Sequence, residues 1–162
     1  MPTLLRSNQE IIAIYDRHVD TVYRVCYAFM KNPSEAEDMT QETFLRLISY
    51  RRPFENERHE KAWLIVTASN LCKDALKKWW RKNESIDDYP NLPLEIPDTG
   101  NAVLDAILSL PQDYKDAVYM YYYEGYTTVE IARHLNCPES TVRSRLARAR
   151  KQLQTILGGV TR

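Results

Sequence analysis

The stretch TTVEIARHLNCPESTVRSRLARARKQL, residues 127–153, decides the fold of the half of the chain that contains it. Thr127 or Thr128 is able to cap a short helix on which Ile131, Ala132 and Leu135 face one way. Asn136 stands where the chain must turn sharply, often with a positive φ, a conformation that Asn tolerates second only to Gly. Cys137 is a small apolar plug in the turn, and Pro138 opens the next helix, where its missing N–H does no harm. In that helix Val142, Leu146, Ala149 and Leu153 fall within about 60° of one another at roughly 100° per residue and form the inner stripe. The small Ala132 lets the two helices cross closely. These features imply a DNA-binding helix-turn-helix.

The outward face of the second helix carries Ser140, Arg143, Ser144, Ala147, Arg148 and Lys151, spread over roughly 100–240° from Val142. Glu139 is the only acid in the helix. A solvated face usually mixes signs so that neighbours pair at i,i+4. Arginines and hydroxyls without acids instead suit phosphates and guanine edges, since a guanidinium offers two parallel donors.

The rest of the chain sets the context. Its 162 residues are 44% hydrophobic and 27% charged, which indicates one or two small globular domains. The longest strongly apolar stretch, residues 62–68, is too short to cross a bilayer, and the first ten residues lack the regions of a signal peptide, so a cytoplasmic location without membrane insertion is expected. Cys26, Cys72 and Cys137 each stand alone, which argues for buried residues and against a disulfide framework or a zinc site. The charge totals cancel, but the distribution is uneven: a net of +3 over residues 1–82, −5 over 83–100 and +2 over 101–162. An acidic middle between two basic ends points to nucleic acid or a large charged partner.

Residues 83–100 hold Pro90, Pro93, Pro97 and Gly100 and show no helical period, so they are expected to link two domains. Both halves read as helices. Ile11, Ile12, Tyr15, Val19, Val22, Tyr23, Cys26 and Met30 recur at helical spacing. Asn32 and Pro33 open a second helix with Ala36, Met39, Thr43, Phe44, Leu47 and Ile48 on one side. Residues 51–60 read as a loop, a third helix runs from about 60 to 82, and another from about Pro111 to Glu124 ends at Gly125. The class is all-α.

A helix-turn-helix alone fits a repressor, an activator or a response regulator. The first 82 residues resemble neither a ligand pocket nor a phospho-acceptor domain. They carry an acidic helix with Glu35, Asp38 and Glu42, then a helix that mixes Trp63, Trp79 and Trp80 with Lys73, Lys77, Lys78, Arg81 and Lys82. Basic residues beside aromatics suit opened DNA, where unstacked bases rest on rings, although core packing is a ready alternative for the tryptophans. A carboxylate metal site on the acidic helix finds no matching partner ligands.

The order AEDMTQETFLRL, AWLIVTASNLCKDALKKWWRK, a proline-rich linker, and LPQDYKDAVYMYYYEGYTTVEIARHLNCPESTVRSRLARARKQL resembles the extracytoplasmic-function sigma factors, the small two-domain members of the bacterial sigma family. The resemblance implies a first domain over residues 8–82, a linker over 83–100 and a second domain over 101–162. It implies that Asp38, Gln41, Glu42 and Phe44 dock on core RNA polymerase. It assigns capture of the −10 element to Asn56, His59, Trp63, Asn70, Lys73 and Lys77. The −35 element falls to Ser140, Thr141, Arg143, Ser144 and Arg148, with Lys151 toward the DNA backbone. The partners implied are core RNA polymerase, promoter DNA and an anti-sigma factor. No cofactor, metal, small-molecule substrate or catalytic group is expected, because no nucleophile–base pair, phosphate loop or metal constellation is present. The rival readings are a free-standing helix-turn-helix regulator and an adaptor or enzyme with a metal site on the acidic helix.

Overall fold

The computed structural model describes residues 6–82, 106, 107 and 109–158. Among these residues the regular structure is helical and no strand occurs, as the all-α reading expects. The chain divides into two compact units, residues 1–74 and 75–162, and the division falls within the third helix. The expected linker, residues 83–100, lies outside the described residues.

In the first unit, α1 spans Asn8–Met30 and starts from a capping box between Ser7 and Glu10. It stops at Lys31, whose left-handed backbone (φ 56°) lets its N–H reach the Tyr27 carbonyl at 2.9 Å. Helix α2, Pro33–Ser49, begins where the sequence places it: the Asn32 side chain accepts from the Glu35 N–H at 3.1 Å, and Pro33 takes the first helical position. Helix α3 spans Glu57–Lys82, so the loop expected to reach residue 60 ends earlier. The cause is Asn56, whose side-chain oxygen accepts from the His59 N–H at 2.8 Å and whose carbonyl accepts from the Glu60 N–H at 3.0 Å.

Helices α1 and α2 pack on each other. Val22, Val25, Cys26 and Phe29 of α1, Ala36, Phe44 and Leu47 of α2, and Leu64, Ile65, Ala68 and Cys72 of α3 are buried. Each large apolar side chain removed from water this way contributes about 1.5–3 kcal/mol. Ile12, Tyr15 and Ile48, expected on inner faces, are exposed instead. Ile48 follows Leu47 by one residue and is therefore turned about 100° off the core-facing direction. The inner side of α1 holds two polar residues in their place, His18 and Thr21.

Buried polar groups are satisfied. Glu60 Oε1 lies 2.8 Å from both His18 Nε2 and Arg17 Nη2, tying the first turn of α3 to α1. Thr40, Thr43 and Ser69 donate to carbonyls four residues back in their own helices. No buried side-chain nitrogen or oxygen among the described residues lacks a partner. Cys26 and Cys72 are both buried and free. Their hydrogen bond holds the Cys26 thiol below its ordinary pKa; burial opposes this, and Thr40 and Thr43 reinforce it.

In the second unit, α4 spans Gln112–Val118 and runs on into a π-helical turn, Tyr119–Tyr123, where the sequence suggests one continuous α-helix. The Glu124 N–H reaches back five residues to the Tyr119 carbonyl at 3.1 Å. Gly125 then reverses the chain at φ +76°, as expected of a glycine after a helix. Helix α5 is Thr128–Leu135 and α6 is Glu139–Gly158. Helices α4 and α5 both pack on α6. The core between them is Ala117, Val118, Met120, Ile131, Val142, Leu146 and Ala149.

Candidate nucleic-acid interface

Helices α5 and α6 form the expected helix-turn-helix. Thr127 and Glu130 make a capping box: the Thr127 hydroxyl accepts from the Glu130 N–H at 3.1 Å, and the Glu130 carboxylate accepts from the Thr127 N–H at 3.0 Å. Asn136 takes the left-handed conformation, φ 55° and ψ 50°, and the next N–H, that of Cys137, reaches the Ala132 carbonyl at 3.0 Å. The Thr128 hydroxyl donates to Glu139 at 3.0 Å, joining the first turn of α5 to that of α6. The buried stripe of α6 is Val142, Leu146, Ala149 and Leu153, the four residues the periodicity selects.

With that stripe facing inward, Ser140, Arg143, Ser144, Arg148 and Lys151 are exposed and Thr141 is half-buried. The helix therefore presents a cationic, hydroxyl-bearing ridge narrow enough for a major groove. Glu139 borders it: besides the Thr128 contact it stands 3.7 Å from Arg143, which is 64% exposed. The sequence did not single out Arg150, whose Nε donates to the Tyr122 hydroxyl at 3.0 Å. That bond raises the Arg150 pKa further above its ordinary value.

In the first unit four of the residues expected to meet opened DNA lie along one face of α3. His59, Trp63, Asn70 and Lys73 fall within about 80° of one another at 100° per residue, and Lys77 follows on the part of α3 that belongs to the second unit. Asn70 and Lys77 are exposed, while the others are half-buried. Asn56 and His59 are engaged locally: Asn56 caps α3, and His59 Nδ1 accepts from the Glu55 N–H at 3.0 Å. Trp63 packs on Tyr50 and Phe54, with ring centroids 4.5 and 5.7 Å away. Arg6 covers this cluster, standing 4.7 Å from the Phe54 centroid and donating to the Tyr50 and Arg52 carbonyls. Tyr50, Phe54 and Arg6 are thus part of the face, and sequence reading missed them because only contact across the α2–α3 connection reveals them. Lys73 Nζ sits 6.0 Å from the Phe29 ring.

On α2, Asp38 and Gln41 are exposed, and Glu42 is partly exposed, 3.8 Å from Arg46. Phe44 does not join them: it is 6% exposed and meets the Tyr15 ring edge-on at 4.8 Å. Leu45 and Ile48, 56% and 54% exposed, continue the Asp38–Gln41–Glu42 stripe at helical spacing. An acidic stripe that passes into exposed apolar residues suits a protein partner with the opposite charge. Among the described residues no cluster of His, Cys, Asp or Glu could hold a metal ion, and no helix is long and apolar enough to cross a membrane.

Comparison with known proteins finds two family matches. Residues 14–82 match the family Sigma-70 region 2, and residues 100–153 match Sigma-70, region 4. The chain is 34% identical to the ECF RNA polymerase sigma factor SigE of Mycolicibacterium smegmatis over 87% of its own length and 59% of that protein's. It is 32% identical to the ECF RNA polymerase sigma factor SigL of Mycobacterium tuberculosis, over 93% of its own length and 91% of that protein's. In fold it is similar to the sigma factor RpoE of Bartonella quintana, solved in complex with the anti-sigma factor NepR, with a TM-score of 0.69 at 23% identity over 95% of this chain and 97% of that one.

Proposed function

The chain belongs to the ECF RNA polymerase sigma factors, and from that membership we propose that it binds core RNA polymerase, directs it to promoters with a −10 and a −35 element, and helps open the DNA for initiation. The observation that carries this reading is a region 2 match and a region 4 match in order on one chain, the second lying on a helix-turn-helix with a cationic outer ridge.

Residues 8–82 serve as the polymerase-binding and −10 domain, residues 83–100 as the linker and residues 101–162 as the −35 domain. Asp38, Gln41 and Glu42 dock on the polymerase, with Leu45 and Ile48 supplying apolar contact beside them. Phe44 acts from beneath, fixing the rotation of α2 through its packing on Tyr15. On α3, Trp63, Asn70, Lys73 and Lys77 meet the opened −10 strand, and Asn56 and His59 hold the start of the helix and the adjoining loop in place. Ser140, Thr141, Arg143, Ser144 and Arg148 read the −35 duplex, and Lys151 meets the backbone. Base contacts set which promoter is chosen, while phosphates and the polymerase supply most of the affinity. No covalent step is assigned to the chain. An anti-sigma factor, as seen on the Bartonella quintana relative, controls it by masking these faces.

The test is run-off transcription with sigma-free core RNA polymerase and a pool of randomised promoters. Discrete transcripts that depend on this protein are expected. Absence of both transcripts and co-migration with core polymerase would favour a free-standing helix-turn-helix regulator.

A further inference from the structure

A groove of about 360 Å³ runs along one flank of α6 and is closed on its far side by the first turn of α4. Its lining includes Ser140, Thr141, Ser144 and Arg148 of the −35 set, but also three residues that set lacks: Asp113, Tyr114 and Arg145. At 100° per residue, Arg145 lies about 160° around the helix from Arg143, while Thr141 and Arg148 lie within about 60° of it. Helix α6 therefore carries two functional sides. One is the ridge of Arg143 and Lys151; the other is the groove that Arg145 lines.

Two arginines outside the groove are engaged within the protein. Arg143 stands 3.7 Å from Glu139, and Arg150 is bonded to Tyr122. Arg145 and Arg148 make no hydrogen bond or ion pair with any described residue. Arg145 is also half-buried. Around it stand three hydroxyls from α6 and a tyrosine from α4. Guanidiniums beside hydroxyl donors, in an open groove on the flank of the helix, suit a phosphodiester. A helix in a major groove is bordered by the two phosphate backbones, and the flank of the helix is what meets them.

We propose that this groove seats a backbone phosphate of the −35 duplex, held by Arg145 with the Tyr114 hydroxyl, so that α4 and α6 together fix the angle at which α6 enters the major groove. The proposal rests on the promoter-binding role given above. Asp113 stands in the same groove as a fixed negative charge. It makes the seat weaker than its arginines alone would, which keeps binding to arbitrary DNA low.

The test measures binding of a −35-containing promoter fragment by the full chain in complex with core polymerase, across a range of salt concentrations. Neutralising a phosphate contact lowers the slope of log affinity against log salt by about 0.9. Arg145→Gln is expected to lower the slope by about that amount and to weaken matched and −35-mutated fragments by the same factor, whereas Arg145→Lys restores the slope. Asp113→Asn, an exposed substitution that keeps the proposal testable if Arg145→Gln does not fold, is expected to tighten all fragments by about threefold. An unchanged slope with Arg145→Gln, a loss confined to one base pair, or unchanged affinity with Asp113→Asn overturns the phosphate seat. A wild-type complex that binds no promoter in preference to other DNA overturns the promoter-binding role, and the seat with it.

Discussion

His18 Nε2 and Glu60 Oε1 lie 2.8 Å apart, with the His18 side chain only 3% exposed and that of Glu60 10%. The same carboxylate oxygen takes Arg17 Nη2 at 2.8 Å, so one acid at the start of α3 serves two consecutive residues of α1. Glu60→Ala leaves the His18 ring nitrogen buried without its acceptor and is expected to lower the unfolding free energy by about 2–4 kcal/mol. Glu60→Gln keeps a side-chain oxygen and is expected to cost less. Urea denaturation of the three proteins checks the order, and equal stability of wild type and Glu60→Ala would remove the anchoring role.

Among the described residues, the two non-glycine residues with positive φ, Lys31 and Asn136, give opposite expectations. Asn136→Ala places a Cβ where the left-handed backbone disfavours it and is expected to cost about 1 kcal/mol, whereas Asn136→Gly should be close to neutral. Lysine has no such tolerance, and burial already pulls the Lys31 amine below its ordinary pKa. Lys31→Gly is therefore expected to raise stability by about 1 kcal/mol. Thermal unfolding of each variant decides the matter by the sign of the shift.

Arg143→Ala is expected to lose about 1–3 kcal/mol of promoter discrimination in the polymerase complex, the worth of a two-pronged guanine contact. Competition between matched fragments and fragments altered at single −35 base pairs measures it. Uniform weakening across all fragments would make Arg143 a phosphate contact instead.

Charge reversal at Asp38 and Glu42 together is expected to abolish co-migration with core polymerase. Leu45→Ala with Ile48→Ala should weaken it without lowering the unfolding temperature, because both side chains are exposed. A double variant that binds normally but unfolds early would assign these residues to the fold rather than to the partner.

The features legible in the sequence were those set by local chemistry. Asn32 with Pro33, and Asn136 with Pro138, mark helix boundaries because each satisfies or removes a specific backbone group. Val142, Leu146, Ala149 and Leu153 were legible because a helix packed on one side leaves a clean stripe. What escaped depends on contacts between distant residues. His18 is polar by type yet buried, because Glu60 arrives from forty-two residues away. Ile12 and Ile48 are apolar by type yet exposed, and nothing local distinguishes a docking surface from a core face. The π-turn at Tyr119–Tyr123 left no mark, since an extra residue in a helical turn preserves the composition of the helix. At the site, the ridge of α6 could be read from charge alone. Arg145 and Tyr114 could not, because they meet only when α4 is laid against α6.

The placement of the three thiols makes the protein its own spectroscopic reagent. Cys26 and Cys72 are fully buried in the first unit, while Cys137 is partly exposed in the turn between α5 and α6. A maleimide dye under native conditions is therefore directed to Cys137, one residue from the bend that sets the recognition helix, without any cysteine having to be removed. Fluorescence from that position follows engagement of DNA by the second unit. Slow labelling of Cys26 and Cys72 in the same sample counts the openings of the first, so one preparation reports on both units.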